Sequence, residues 1–303
     1  PLFHVYGMSC CMNLAMAGGK TIILVPRFVP EEICQIISEQ KPTFFPGVPT
    51  MFVALRHHPA FKDAHNVMVY NSGAAPLPVE VWHSYNQLFE GTDTVMGEGY
   101  GLSEASPVTH SNPTFTDVKK PGSIGLPYPA TEAAIVDVET GTRFMPVGEV
   151  GELIIKGPQV MKGYWNMPDQ TEKTLRNGWL YTGDMGRMDE DGYFYIVDRK
   201  KDMILAGGFN IYPREVEEVL FTHPKIQEAV VAGVPDAYRG ETVKAYVVLK
   251  EGQTATEKEI MDYCREFDGV EIIIEEKFST DGVEVVREWQ REGLVEAVVA
   301  RNN

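Results

Sequence analysis

The chain has 303 residues, 44% of them apolar and 23% charged, which is enough for one large domain or two ordinary ones with a sizeable core. Its 43 acidic and 27 basic residues leave a net charge of −16, which argues against nucleic acid as the main partner but not against an anionic small ligand in a locally positive site. No apolar run approaches the ~20 residues of a membrane helix, and four cysteines (Cys10, Cys11, Cys34, Cys264) without a C-x-x-C pair read as reduced thiols of a cytoplasmic protein.

The sequence opens on PLFHVYGMSC with neither an initiator Met nor a signal peptide, as expected for a piece of a longer protein. KTIILV (20–25) predicts a buried strand. PEEICQIISEQ (30–40) predicts a helix, with Pro30 and two glutamates at its start and Ile33, Ile36 and Ile37 on one face. NVMVYNSG (66–73) reads as strand then turn. VEVWHSYNQLF (79–89) reads as a helix burying Val81, Tyr85, Leu88 and Phe89, and TDTVMGEGYG as a strand running into a glycine loop. This alternation predicts an α/β sheet with ligands gathered at the carboxyl ends of its strands. From about residue 121 the chain is dense in Gly and Pro without helical period, so short strands in a small β subdomain are expected. GYFYIVDRKKDMILAGGFNIYP (192–213) reads as two strands joined by a charged link. A helix at 213–222, strands at 229–234 and 245–249 and a helix at 256–267 follow. Pro213 opens the first of these helices over Val216, Val219 and Leu220; Thr256 and Glu259 form a capping box for the second, which buries Ile260, Cys264 and Phe267. A domain boundary is expected at DRKKD (198–202), dividing 1–198 from a small 199–303 domain.

GEGYGLSEAS (97–106) is the most suggestive stretch for chemistry. It departs from G-x-G-x-x-G, because its third glycine comes one residue early and Asp117 lies among turn formers. Ser103 and Glu104 have two readings: a helix N-cap with a carboxylate at the positive end of the dipole, or a phosphate contact followed by a ligand for Mg²⁺, a hard cation that prefers oxygen. NSGAAPLP (71–78) either forms an ordinary tight turn or lets a backbone approach a flat ligand closely. It is not G-x-S-x-G, so Ser72 is a poor hydrolase nucleophile. Asp184 in LYTGD either closes an Asx-turn or accepts bonds from two ribose hydroxyls. Arg199, Lys200 and Lys201 are either a solvated run or a phosphate contact. The seven histidines show no metal-ligand spacing, and solvated or packed roles suit all except His4.

Taken in order, PLFHVYG, NSGAAP, GEGYGLSE, PGSIGLP, GELIIKGPQVMKGYW, GWLYTGD, DRKKDMILAGGFNIYPREVE and GVPDAYRGE resemble successive motifs of the adenylate-forming acyl-CoA synthetase superfamily. The resemblance covers about residues 1–267, and GYGLSEASPVTHSNP followed by GSIGLPYPATEA is most similar to bacterial long-chain fatty acid–CoA ligases. It implies a multi-subdomain α/β N-terminal domain, partial here, followed by a small α+β domain. It also implies a two-step reaction with ATP, Mg²⁺ and coenzyme A. A fatty acid carboxylate attacks the α-phosphate to give an acyl-adenylate and pyrophosphate, and the thiol of coenzyme A then displaces AMP. By resemblance, Ser72, Gly73, Ala74 and Ala75 with Glu98, Gly99, Tyr100 and Gly101 wall the adenine, the glycines leaving room for Tyr100 to lie along the base. Ser103 then contacts phosphate, Glu104 holds Mg²⁺, Asp184 takes the ribose hydroxyls, and Arg199 reaches ribose or phosphate. His4 lies beside the reacting carboxylate, Lys201 matches the hinge, and Gly207 and Gly208 match the loop lining the coenzyme A tunnel.

Two motifs depart from the family pattern. The Ser/Thr/Gly-rich phosphate loop lies upstream of the first motif present, and no Pro-Lys-x-x-x-Gly-Lys segment follows Phe267. Instead VEIIIEE and VEVVREW flank STDG, a pattern for a hairpin on an Asp-Gly turn. Lys277 is the single lysine there and does not occupy the family's catalytic position. Poor adenylation by this chain alone is the expectation, since losing a positioned cation from a transition state costs on the order of 10²–10³ in rate. An aryl-CoA ligase or other adenylation domain, and a non-catalytic nucleotide-binding fragment, are the alternatives. A surface of charge −16 repels anionic lipid, so peripheral membrane association would need an apolar patch. The sequence leaves chain length and oligomeric state open.

Overall fold

The computed structural model describes residues 2–63, 66–116, 118, 120–206, 209–236, 240–265, 284–289 and 295–300, and divides the chain into two compact units, 1–196 and 197–303.

The first unit opens with wide π-type turns, Gly7–Asn13, that run into α1 (Leu14–Ala17). In α2 (Pro30–Gln40) Pro30 occupies the first turn, Glu31 and Glu32 sit at the positive helix end, and Ile33, Cys34 and Ile37 are buried. Residues 20–25 correct the sequence reading. They form no strand, and Ile23 and Leu24 are 40% and 67% exposed. An apolar run becomes a strand only where a neighbour accepts its backbone hydrogen bonds, and no strand among the described residues pairs with it.

β1 (Phe44–Gly47), α3 (Pro49–Arg56), β2 (Val69–Ser72), α4 (Val79–Leu88) and β3 (Val95–Gly101) make two successive β-α-β crossovers, with the three strands parallel and adjacent. β4 (Val108–Ser111) and β5 (Leu126–Pro127) extend the sheet antiparallel. Its helices pack through aromatic rings. Tyr70 of β2 stacks on Phe89 at 5.1 Å, Tyr85 of α4 meets Phe61 at 5.4 Å and Phe52 of α3 at 5.6 Å, and the Tyr85 hydroxyl donates to the Phe52 carbonyl at 2.9 Å. The fully buried Tyr85 is tolerable in such a core because its hydroxyl finds that acceptor. Trp82, which the helical pattern did not single out, is buried beside Val81.

The Gly/Pro-rich stretch is a second sheet, as expected: β6 (Glu132–Val136), β7 (Gly151–Lys156), a short α5 (Pro168–Thr174), β8 (Leu175–Arg176), β9 (Trp179–Met188) and β10 (Phe194–Arg199), ordered β10-β9-β7-β6 with β8 on β9. The five buried residues of β7 make it the centre, and Leu153 and Ile155 pack with Ile124, Ile135 and Phe194. Asp137 shapes the turn after β6. Its carboxylate accepts the N–H groups of Thr140, Thr142 and Arg143 at 2.7–3.1 Å, which holds its pKa well below the usual carboxylate range.

In the second unit, β11 (Ile204–Ala206) and β12 (Phe209–Ile211) pair antiparallel, so the stretch 192–213 holds three strands where its sequence suggested two. The register pairs Ile204 with Ile211 and Ala206 with Phe209, two strands that the run MILAGGFNI does not separate in sequence. α6 (Pro213–Thr222) buries Val216 and Leu220 against β13 (Ile226–Asp236) and β14 (Gly240–Leu249), an antiparallel pair. α7 (Glu257–Arg265) starts at Thr256, whose hydroxyl accepts the Glu259 N–H at 3.2 Å, and it buries Ile260 and Cys264; Phe267 lies outside the described residues. β15 (Glu284–Trp289) falls within VEVVREW and pairs with β16 (Val295–Ala300), which runs parallel to β14. The other arm of the expected hairpin, VEIIIEE, and Lys277 lie outside the described residues.

Candidate active site

Where the parallel pairing of the three strands ends, Gly47, Ser72 and Glu98 stand side by side in register. Ser72 is fully buried, and its hydroxyl has no hydrogen-bond partner among the described residues. Glu98, 2% exposed, accepts the Leu77 N–H through Oε1 at 3.0 Å and so ties the NSGAAPLP loop to β3. Beyond Ser72 the loop turns through Ala74 in the left-handed region (φ 69°), leaving Ala74 and Ala75 exposed. Tyr6 covers the loop from the N-terminal segment. Its hydroxyl lies 3.1 Å from the Asn71 carbonyl and 3.0 Å from Asn71 Oδ1, and its ring lies so close to Gly73 that a Cβ there would come within 3.1 Å.

Tyr100, near the end of β3, donates its hydroxyl to the Asp184 carboxylate on β9, joining the two sheets of the first unit. Asp184 is fixed in turn by its N–H to Thr182 Oγ1 at 3.1 Å, beside a Gly183 N–H that reaches Glu152 Oε1 at 3.1 Å. Behind Tyr100 lies His110, at a ring separation of 6.0 Å; it is fully buried, 4.9 Å from the Phe194 ring and 2.9 Å from Thr109 Oγ1. Burial pushes the His110 pKa down to about 3, so the ring is neutral.

A Cβ on Gly101 would lie 2.1 Å from the Pro107 carbonyl oxygen, so this glycine is demanded by the approach of the chain entering β4. At Gly99 a Cβ would make ordinary contacts, the His110 carbonyl at 3.4 Å, Asn71 Oδ1 at 3.7 Å and Ser111 Oγ at 3.8 Å. Ser103 corrects the helix-cap reading, since no α-helix follows it. Ser103–Ala105 is a single 3₁₀ turn without a side-chain cap, ended by Ser106 in the left-handed region (φ 61°) and by Pro107, which has no N–H to continue a helix. Ser103 is exposed. Glu104 is held twice: its carbonyl accepts the Met161 N–H at 2.7 Å, and its Oε1 accepts the Tyr164 hydroxyl at 2.7 Å. His4 is exposed; its carbonyl accepts the Met8 N–H at 2.8 Å and its Nδ1 the Tyr6 N–H at 3.2 Å. The Ser9 hydroxyl reaches the Ser106 carbonyl at 3.4 Å, which brings this N-terminal segment against the Ser103–Ser106 turn.

The first unit therefore gathers His4, Ser72–Ala75, Glu98–Gly101, Ser103, Glu104 and Asp184. Arg199 and Lys201 belong to the second unit, and both are exposed. There the Asp198 carboxylate accepts the N–H groups of Arg199 (2.6 Å) and Arg214 (3.1 Å), and burial raises its pKa above the usual range. Gly207 and Gly208 lie outside the described residues. Sequence reading passed over Tyr6, His110 and Tyr164. Tyr6 and Tyr164 stand inside the quoted stretches PLFHVYG and KGYW, where a tyrosine that buries its ring also needs an acceptor.

Among the described residues no cluster of three or more His, Cys, Asp or Glu could hold a metal ion, and no helix is long and apolar enough to cross a membrane. A single hard carboxylate on a partly exposed turn does fit Mg²⁺, which is usually bound by one or two carboxylates together with substrate phosphates and water.

Residues 1–165 match the family model for AMP-binding enzymes, and residues 215–290 match the AMP-binding enzyme C-terminal domain. The chain is 56% identical over 267 residues to a long-chain-fatty-acid–CoA ligase of Bacillus subtilis, covering 88% of this chain and 47% of that protein. A long-chain-fatty-acid–CoA ligase of Escherichia coli O6:H1 is 40% identical over 269 residues, covering 88% and 46%. Among solved structures, ATP-bound MatB from Rhodopseudomonas palustris superposes with a TM-score of 0.84 at 30% identity, covering 100% of this chain and 55% of that one. The chain spans about half the length of the relatives it matches.

Proposed function

Because this chain belongs to the AMP-binding enzyme family, we propose that it serves ATP-dependent activation of a fatty acid to its acyl-adenylate and transfer of the acyl group to coenzyme A. The observation that carries this reading is the in-register row of Gly47, Ser72 and Glu98, where the parallel pairing of the three strands ends, with the Tyr100–Asp184 bond beside it. Ligands of open α/β sheets bind at such strand ends.

In this reading the exposed Ala74–Ala75 backbone and the Tyr100 ring take the two faces of the adenine. Asp184, oriented by Tyr100, accepts the ribose hydroxyls. Ser103 donates to phosphate, and Glu104 offers its carboxylate to a phosphate-bound Mg²⁺, which would neutralise charge as the fatty acid carboxylate approaches the α-phosphate. His4 stands beside that carboxylate. By the family resemblance, Arg199 takes ribose or phosphate, Lys201 the hinge role, and Gly207 and Gly208 the coenzyme A role. The four thiols, none of them in a disulfide, suit a cytoplasmic protein.

Equilibrium titration with ATP and with a non-hydrolysable fatty acyl-adenylate analogue, set beside pyrophosphate exchange, tests the proposal. Binding of the analogue, weakened by Asp184→Ala and by Tyr100→Ala, is expected. Absence of binding by either ligand at millimolar concentration overturns the reading. Tighter binding of an aryl-adenylate analogue moves the substrate to aromatic acids. Binding without exchange or thioester formation assigns the chain a nucleotide-binding role alone.

A further inference from the structure

We propose that Tyr164 is the positioning residue for Glu104, holding one carboxylate oxygen so that the other faces the cation on the bound nucleotide. This inference rests on the ligase reading above. Tyr164 and Glu104 are 60 residues apart, yet the phenol donates to Glu104 Oε1 at 2.7 Å, and both groups are partly buried. A second bond runs in parallel, from the Met161 N–H to the Glu104 carbonyl at 2.7 Å, so the segment carrying Tyr164 is stitched to the Ser103–Ala105 turn at main chain and side chain alike.

The segment is itself fixed. The Tyr164 N–H donates to Thr171 Oγ1 at 2.9 Å, and Thr171, in α5, donates the same hydroxyl to the Met167 carbonyl at 2.9 Å. Gly163 allows this fold: its φ is 150°, and a Cβ there would come within 2.7 Å of Thr171 Cγ2. The phenol is thus presented from a braced loop and not from a free side chain. A carboxylate on a three-residue turn would otherwise sample several rotamers, and fixing one oxygen removes that freedom before a cation arrives. Mg²⁺ demands near-ideal geometry from few protein ligands, so orientation of a lone carboxylate matters more than it would in a cage of several.

The test is a titration of the full chain with MnCl₂ in the presence of ATP, read by the loss of the free Mn²⁺ electron paramagnetic resonance signal. Tyr164→Phe is expected to weaken Mn²⁺ binding about 10-fold, the usual cost of removing a group that orients a metal ligand, with the melting temperature little changed. Thr171→Val, which keeps the phenol and frees its loop, is expected to give a smaller loss in the same direction and supplies the test if Tyr164→Phe does not fold. Tyr164→Phe added to Glu104→Gln should cost nothing further. Equal Mn²⁺·ATP binding by wild type and Tyr164→Phe overturns the positioning role and leaves the ligase reading standing. An additional loss in the double variant likewise overturns it, because Tyr164 would then act elsewhere. Failure of the wild-type chain to bind ATP overturns the ligase reading and this inference with it.

Discussion

The glycines at 97 and 101 lie in one strand, four residues apart, and the structure gives them opposite fates on replacement by alanine. At Gly101 a Cβ would lie 2.1 Å from Pro107 O, 2.5 Å from Pro107 C and 2.9 Å from Val108 Cα, all main-chain atoms. Relief requires the chain entering β4 to withdraw by roughly 1 Å, at the ~1–3 kcal/mol typical of overpacking. The Leu102 N–H to Pro107 carbonyl bond, 3.0 Å long, is lost with that movement at about 1 kcal/mol more. Gly101→Ala should therefore cost about 3 kcal/mol. At Gly97 the nearest atoms are Asn71 Nδ2 at 3.7 Å and Thr114 Cγ2 at 3.9 Å, ordinary contacts, and φ is not positive. Alanine there restricts the unfolded chain and should stabilise by about 0.5 kcal/mol. Urea unfolding followed by tryptophan fluorescence reports mainly on the first unit, where Trp82, Trp165 and Trp179 lie. With a slope of about 2 kcal/mol/M the Gly101→Ala midpoint should fall by about 1.5 M while that of Gly97→Ala rises slightly. Equal midpoints for the two variants would refute the packing argument. If Gly101→Ala kept its stability and lost only nucleotide binding, the glycine would be serving the ligand instead.

His110 is buried neutral with its pKa pushed down to about 3, so its contribution to folding is intact above the unfolded value of ~6.5 and is lost as pH falls from there toward 3, at about 1.4 kcal/mol per pH unit. His110→Phe should flatten that acid limb in urea midpoints measured from pH 7 to 4; an unchanged slope would contradict the burial argument. Asp198 has the opposite sign: burial raises its folded pKa, so its contribution is greatest when it is protonated and declines as pH rises from the ordinary ~4 through the folded value. Asp198→Asn keeps an acceptor for the Arg199 and Arg214 N–H groups and should reduce that decline, leaving the part due to Glu217, which burial also raises; a decline as steep as wild type would count against it. Tyr100→Phe removes the donor to Asp184 and should cost about 1.5 kcal/mol in thermal unfolding while keeping the ring for adenine. Nucleotide binding abolished as fully as by Tyr100→Ala would show that the hydroxyl, and not the ring, matters for the ligand.

Helices that announce their own ends were legible in the sequence. α2 and α6 begin on a proline that has no hydrogen bond to lose and carry an apolar face at helical spacing, and both lie where the pattern puts them. The alternation of strand and helix was enough to expect an α/β sheet, although β1 and α3 were not singled out. What failed depended on distant neighbours. KTIILV has the composition of a strand, but composition supplies no partner ladder. Ser103 has the composition of a cap, but Ser106 and Pro107 stop the chain after one turn. The close approach of Pro107 to Gly101, six residues on, is a second demand on that glycine that the motif does not show.

The same distance explains which parts of the site were invisible. The residues named from the motifs are chiefly those that face a ligand or close a turn, and such residues cluster in short stretches. The bonds that hold them span long stretches of the chain: Tyr6 reaches Asn71 across 65 positions, Tyr164 reaches Glu104 across 60, and Tyr100, itself named from its motif, reaches Asp184 across 84. All three are phenols, which combine a long reach with only two side-chain torsions and so lose little entropy when fixed. Each pins a different loop: the NSGAAPLP turn, the Glu104 turn and the Asp184 strand. Meanwhile Ala74, Ala75, Ser103 and His4 are left exposed. In the proposed reading Tyr6 and Tyr164 supply rigidity while Tyr100 supplies both rigidity and a ring for the ligand, so the loops are ordered before an anionic substrate arrives.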